Sequence, residues 1–185
     1  DDPDHKERRA TGRQAKGAWL QLEPLKNIQV WRFSLYYFFV FGAFVALALW
    51  LPRYLMGVYG LDIQTAGIIA AAYSIPGSLF RAYGGFLSDR HGARTVMYWT
   101  FGVSVAALFF LSYPPTTYTV EGISGPITFR MATGVLTFTV IVFVLGFFMS
   151  LGKAAVYKHI PVYYPNNVGS VGGLVGMIGG LGGFV

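Results

Sequence analysis

One arginine stands where a charge is expensive. The stretch IQTAGIIAAAYSIPGSLFRAYGGFLS, residues 63–88, is apolar and small-residue-rich, and Arg81 is the charge in its interior. Asp89 follows eight residues later, which on an α-helix is about 12 Å along the axis. Half the hydrocarbon thickness of a bilayer is about 15 Å, so the spacing predicts a guanidinium near mid-membrane. Leaving it among acyl chains costs about 2.5 kcal/mol or more, and such residues usually face a polar cavity and serve a pathway. Snorkelling to the interface is the alternative, and the depth makes it awkward. A planar guanidinium suits a planar oxyanion, which it can hold through paired hydrogen bonds. Arg81 is therefore the leading candidate for contact with a substrate.

Its neighbours fit a cavity. Ser74, Ser78, Arg81 and Gly85 follow steps of four, three and four and share one helical face. Pro76-Gly77 lies just upstream, where it can kink a helix and free backbone groups. Ser78 is thus a candidate for the substrate path, although a membrane-helix serine also bonds back to its own backbone. A second feature is the charged turn carrying Gly85, Asp89, Arg90, Gly92 and Arg94. Gly92 permits unusual dihedrals, and an Asp89–Arg94 contact could latch one side of a moving membrane protein. A plain basic loop is the other reading. A third feature is the run after residue 166, where Gly169, Gly172, Gly173, Gly176, Gly180 and Gly183 recur in steps of one, three and four. A glycine face lets helices approach closely. It can also expose amides to an anion, which makes Gly172, Gly173 and Gly176 candidates for the path. Lys153 and Lys158 read as an interfacial anchor or a gate.

Other chemistry is excluded or unsupported. Without cysteine there is no disulfide framework or thiolate metal site. The three histidines have no ligand spacing, so neither a metal nor another cofactor is expected. No nucleophile–base pair suggests an enzyme. No carboxylate lies deep within a span, which points to anion exchange or places any proton coupling elsewhere.

The elements that must position these residues are membrane helices. The chain is 54% hydrophobic and 12% charged, where a soluble domain has about 25% charged residues. Charge-free runs such as 33–51, 95–113 and 131–152 have the roughly 20 residues that a span requires. The expected fold is an all-α membrane protein with about five transmembrane helices, at 31–51, 64–88, 95–113, 130–152 and 166–185. The last is truncated at the end of the chain. Residues 1–30 read as a cytoplasmic loop. The seven basic residues from Lys6 to Arg32, with Arg90, Arg94 and Lys158, stand ten to two against Arg53 and Arg130 in the alternate segments. This places the N-terminal segment and the 89–94 and 153–165 loops in the cytoplasm. The net charge of +6 is explained by that bias, with no sign of a nucleic-acid partner.

The stretch GFLSDRHGAR resembles the loop signature of the major facilitator superfamily, G-x-x-x-D-R-x-G followed by basic residues; Ala93 stands where one of those basics often occurs. FRAYGGFLSDRHGAR, GKAAVYKHIP and VGGLVGMIGGLGGF together resemble the C-terminal half of the nitrate/nitrite porter family. The resemblance covers nearly everything after about residue 30. It implies a chain that begins in the central loop and holds spans seven to eleven of twelve in a six-helix half, with an N-terminal half missing. It also implies transport of nitrate or nitrite by alternating access, in a bacterial inner membrane. Arg81, before the paired glycines, takes the place of the anion-contacting Arg. Tyr37 and Phe41 match the aromatic pair of Y-x-x-x-F-G that lines the same site; as residues alone, they read better as two of many aromatics that touch lipid. A transporter of another small anion or organic acid, and a non-transporting sensor or scaffold, are the alternatives.

Overall fold

The computed structural model describes residues 18–113 and 115–184. A short helix α1, Ala18–Leu22, and a 3-10 turn, Glu23–Lys26, lead into the 32-residue helix α2, Ile28–Tyr59. Asn27 starts α2 by accepting from the Gln29 amide at 2.9 Å. The helix ends at Gly60, whose φ of 65° places it in the left-handed region. Helix α3, Ile63–His91, is capped by Asp62, which accepts from the Thr65 amide at 3.0 Å and its hydroxyl at 2.6 Å. Gly92, with φ 84°, turns the chain directly into α4, Ala93–Leu111. Strands β1, Thr116–Gly122, and β2, Gly125–Met131, form an antiparallel hairpin with Thr116 opposite Met131. Helices α5, Val135–Tyr163, and α6, Val168–Leu181, follow.

Among the described residues four helices, α2 to α5, are long and apolar enough to cross a membrane, and α6 is a shorter apolar helix. The fold is thus a helical membrane fold with one small hairpin. The expected spans are all helical but their limits move. Helix α2 runs on through Pro52 and Arg53, and α5 runs through Lys153 to Tyr163. A helix need not end where hydrocarbon ends, because its backbone bonds are satisfied internally in either medium. The fourth span begins at Val135 and not at 130, because Arg130 and Met131 belong to β2. The fifth is helical over Val168–Leu181. Of the loop expected at 1–30, residues 1–17 lie outside the described residues, and 18–26 form helical turns.

Helix α5 is the central element, packed along α3 and α4 and touching α2 and α6. Every residue from Met149 to Val156 is buried, as expected of a helix surrounded by others. One core cluster joins Val30, Phe33, Tyr37 and Val40 of α2 to Val96, Leu151, Val156 and Val175. A second joins Phe44, Leu51 and Leu55 to Tyr73, Val142 and Met149. Two glycines allow the closest approaches. A Cβ on Gly84 would lie 2.7 Å from the Leu151 Cα, and one on Gly42 would lie 2.5 Å from the Gly182 Cα. Gly42 falls in a π-helical turn, Phe38–Ala43, within α2. Such wide turns recur at functional sites.

Candidate functional site

Arg81 lies on α3 between Gly77 and Gly84, both buried, so its side chain leaves the helix at the seam with α5. The guanidinium carbon stands 5.6 Å from the centre of the Tyr157 ring, a cation–π distance. Tyr157 belongs to α5, and its ring meets that of Tyr37 from α2 edge-on at 5.0 Å. Tyr37 is thereby near enough to Arg81 for the guanidinium to act on its hydroxyl. Phe41, one turn on from Tyr37, stacks on it at 5.1 Å with the planes 8° apart. Arg81, Tyr37 and Phe41 therefore meet in one place. The guanidinium lies against the edge of an aromatic corner, and Arg81 itself is exposed. It remains open on the side of Ser78 and Ala82, where a groove of about 600 Å³ runs past Tyr157 to Lys158.

The glycine face of α6 closes the corner. A Cβ on Gly176 would lie 2.9 Å from the Tyr157 hydroxyl, and one on Gly179 would collide with the Tyr37 ring. The Tyr157 hydroxyl donates to the Gly172 carbonyl at 3.4 Å. Gly172 and Gly176 thus border the cluster, and tyrosine rings occupy the space their missing side chains leave. Gly173 does not join them; it is exposed, with nothing within 4 Å of where its Cβ would be. Ser78 shares the Arg81 groove, and its hydroxyl donates back to the Ser74 carbonyl at 3.1 Å.

Lys153 is the residue that the sequence analysis undervalued. It is 4% exposed, not an interfacial anchor. Its amine lies 3.1 Å from the centre of the Phe44 ring and 5.9 Å from that of Phe41, close enough to Arg81 for the two charges to act on each other. The available signal was its setting: Gly152, Ala154 and Ala155 flank it, and small neighbours let other helices press in around a long side chain. The described acids all stand elsewhere. Asp62 caps α3, Asp89 ends it, Glu121 is in β1 and Glu23 precedes α2. A buried cation, Lys153, and an exposed one, Arg81, thus flank one set of aromatic rings, and none of the described carboxylates joins them. Among the described residues, no three His, Asp or Glu side chains are grouped to hold a metal.

The family model described as "Major Facilitator Superfamily" matches residues 1–185. The chain belongs to the major facilitator superfamily. It is 53% identical over 166 residues to "Probable nitrate/nitrite antiporter NarK1" of Thermus thermophilus, covering 88% of this chain and 37% of that one. It is 33% identical over 161 residues to "Nitrite extrusion protein" of Bacillus subtilis, covering 86% and 36%. With "Probable nitrate transporter NarT" of Staphylococcus haemolyticus it shares 32% over 158 residues, covering 85% and 36%. The chain spans a little over a third of the length of these curated relatives. No solved structure matches it.

The superfamily signature falls at the end of α3. There Asp89 accepts two hydrogen bonds from the Lys158 amine of α5, at 2.7 and 2.8 Å. The expected Asp89–Arg94 contact is replaced by this one, because α3 and α5 pack along their length and bring Lys158 to the last turn of α3. Arg94 instead lies along α4, its Nε and Nη2 donating to the Tyr98 hydroxyl at 3.2 and 3.1 Å. Arg90 is exposed, Gly85 is half-buried, and Gly92 supplies the left-handed turn.

Proposed function

We propose that this superfamily member carries nitrate or nitrite across a bacterial inner membrane by alternating access, with Arg81 gripping the anion and Tyr37 and Phe41 lining its site. The observation that carries the proposal is Arg81 in an aromatic corner, with a second cation nearby and no acid in the cluster. A guanidinium with a carboxylate partner would be a structural ion pair. Without one, its hydrogen-bonding fork stays available for a planar oxyanion. The names of the relatives support nitrate and nitrite as that oxyanion. The substrate crosses unchanged, so no bond-making chemistry is asked of the site.

In this reading a further half of the transporter faces the open side of Arg81 and supplies an Arg of its own, and the two halves rock about the anion. The groove from Arg81 to Lys158 supports an inward path. The pair Asp89–Lys158, with Gly85, Arg90, Gly92 and Arg94 around it, serves as the cytoplasmic gate. Gly172, Gly176 and Ser78 border the path. The test is uptake of nitrate and nitrite by the full-length transporter in proteoliposomes, for wild type and Arg81→Ala. Wild type is expected to accumulate both anions and Arg81→Ala to fall to the level of empty vesicles. Equal uptake by the two proteins would end the clamp. Uptake of an organic acid in place of nitrate would reassign the substrate, and no uptake at all would favour a sensor or scaffold.

A further inference from the structure

Lys153 takes no part in the clamp as described, yet it is buried, at 4% exposure, where Arg81 is exposed. An ammonium is a compact, strongly hydrated charge, and a buried one is normally paired with an acid or bound by several hydrogen bonds. Here the described residues offer its amine the face of Phe44 at 3.1 Å and that of Phe41 at 5.9 Å. Ring faces offset only part of what an ammonium loses on leaving water. The nearest described acid on the cytoplasmic side, Asp89, is already held by Lys158, and Arg81 adds a like charge. What the corner lacks is a negative charge.

The rings that hold the amine also point to where that charge belongs. Phe41 stacks on Tyr37, the Tyr37 ring meets that of Tyr157, and the Arg81 guanidinium stands over the Tyr157 ring. Lys153 and Arg81 therefore approach one aromatic wall, from α5 and α3. The unbranched side chain of Lys lets its amine leave the Phe44 face for an anion lodged against that wall. We infer that Lys153 is a second contact for the transported anion, resting on Phe44 between transport events and turning to the anion when one arrives. This rests on the nitrate or nitrite reading of the site. The two cations divide the work: Arg81 reads the planar shape of the oxyanion, and Lys153 supplies attraction without shape.

The experiment is concentration-dependent nitrate and nitrite uptake by the full-length transporter, with Lys153→Met, Lys153→Arg and Arg81→Ala beside wild type. Lys153→Met keeps the length and apolar stem but removes the charge. It is expected to raise KM for both anions at least about tenfold while kcat changes less than about threefold, the pattern for loss of a ground-state contact. Lys153→Arg, which keeps the charge, is expected to stay within about threefold of the wild-type KM. If Lys153→Met fails to reach the membrane, Lys153→Gln decides in its place. A wild-type KM in the uncharged variant, with Arg81→Ala inactive, overturns the role of Lys153 and leaves the clamp standing. Wild type that transports neither anion overturns both.

Discussion

Lys153 and Lys158 lie five residues apart on one helix, and the fold treats them in opposite ways. Lys158 is 46% exposed and ion-paired with Asp89, which is 63% exposed. Lys153 is sealed among Phe41, Phe44 and Arg81 without an acid. At the rim of the bundle a pair forms readily, because water already solvates both partners and little is lost if the pair opens. In the interior, an acid placed beside Lys153 or Arg81 would satisfy the charge permanently. The site would then have nothing to offer a passing anion. On the proposed function, the Asp89–Lys158 end is built to be broken and remade, and the corner to be filled and emptied.

The largest effect that would test this contrast is expected inside the corner. Arg81→Lys preserves the charge but replaces two parallel donors with a point ammonium. Losing one charge-assisted hydrogen bond to the anion costs about 2 kcal/mol, roughly thirtyfold in kcat/KM for nitrate. The measurement is uptake by the full-length transporter, normalised to the protein reconstituted. Full activity in Arg81→Lys would show that charge alone suffices, and would turn the assignment toward a less shape-selective anion. The contrast with Lys153→Arg makes this sharper, since the same exchange in reverse is expected to be tolerated.

Much of the corner is visible in the chain before it folds. Arg81 stands out because nothing around it is charged, and Ser78, on the face read with it, lines the same groove. The proposed orientation rests on the ten-to-two division of basic residues. Lys153 is harder to see, because a hydropathy reading closes a span at its first charge, here after Gly152. Burial of that lysine depends on α2, α3 and α4 packing around α5, which is a tertiary fact. The partner of Asp89 is hidden for the same reason, as Lys158 lies 69 residues away along the chain. The hairpin is another matter. Thr116–Val120 and Ile127–Met131 carry the β-branched and aromatic residues of strands, with Gly122 and Gly125 at the turn. They are easily passed over in a search for spans. The π-helical turn at Phe38–Ala43 has no sequence signal that we recognise.

At the rim the expected effects are smaller. Asp89→Asn and Lys158→Met each remove one partner of an exposed pair. A double-mutant cycle on the thermal unfolding of the full-length transporter should give a coupling of less than about 1 kcal/mol. Uptake should change by only a few fold in each single variant, because the remaining partner is exposed to water. Added salt should weaken the coupling further. A coupling of several kcal/mol would mean that the pair is buried in the complete transporter. The rim and the interior would then differ less than they do here.

The smallest effect belongs to the opposite end of α3, at the cap formed by Asp62. The Thr65 hydroxyl, followed by its amide, holds the Asp62 carboxyl below its ordinary value. The direction fixes the pH window. A carboxylate whose folded value is lowered stabilises the fold above its unfolded value of about 3.9, and that contribution is lost as pH falls through the lower folded value. The melting temperature of Asp62→Ala should therefore lie slightly below that of wild type, by the same margin from about pH 7 to about pH 5, and the gap should narrow below about pH 4. Nitrate uptake at neutral pH should be unchanged, since the cap lies a full helix length from Asp89 and outside the corner. A gap that persisted into strong acid would show that Asp62 acts through a hydrogen bond its protonated form still makes. Its charge would then be incidental, which separates it from Lys153, for which charge is the property proposed to matter.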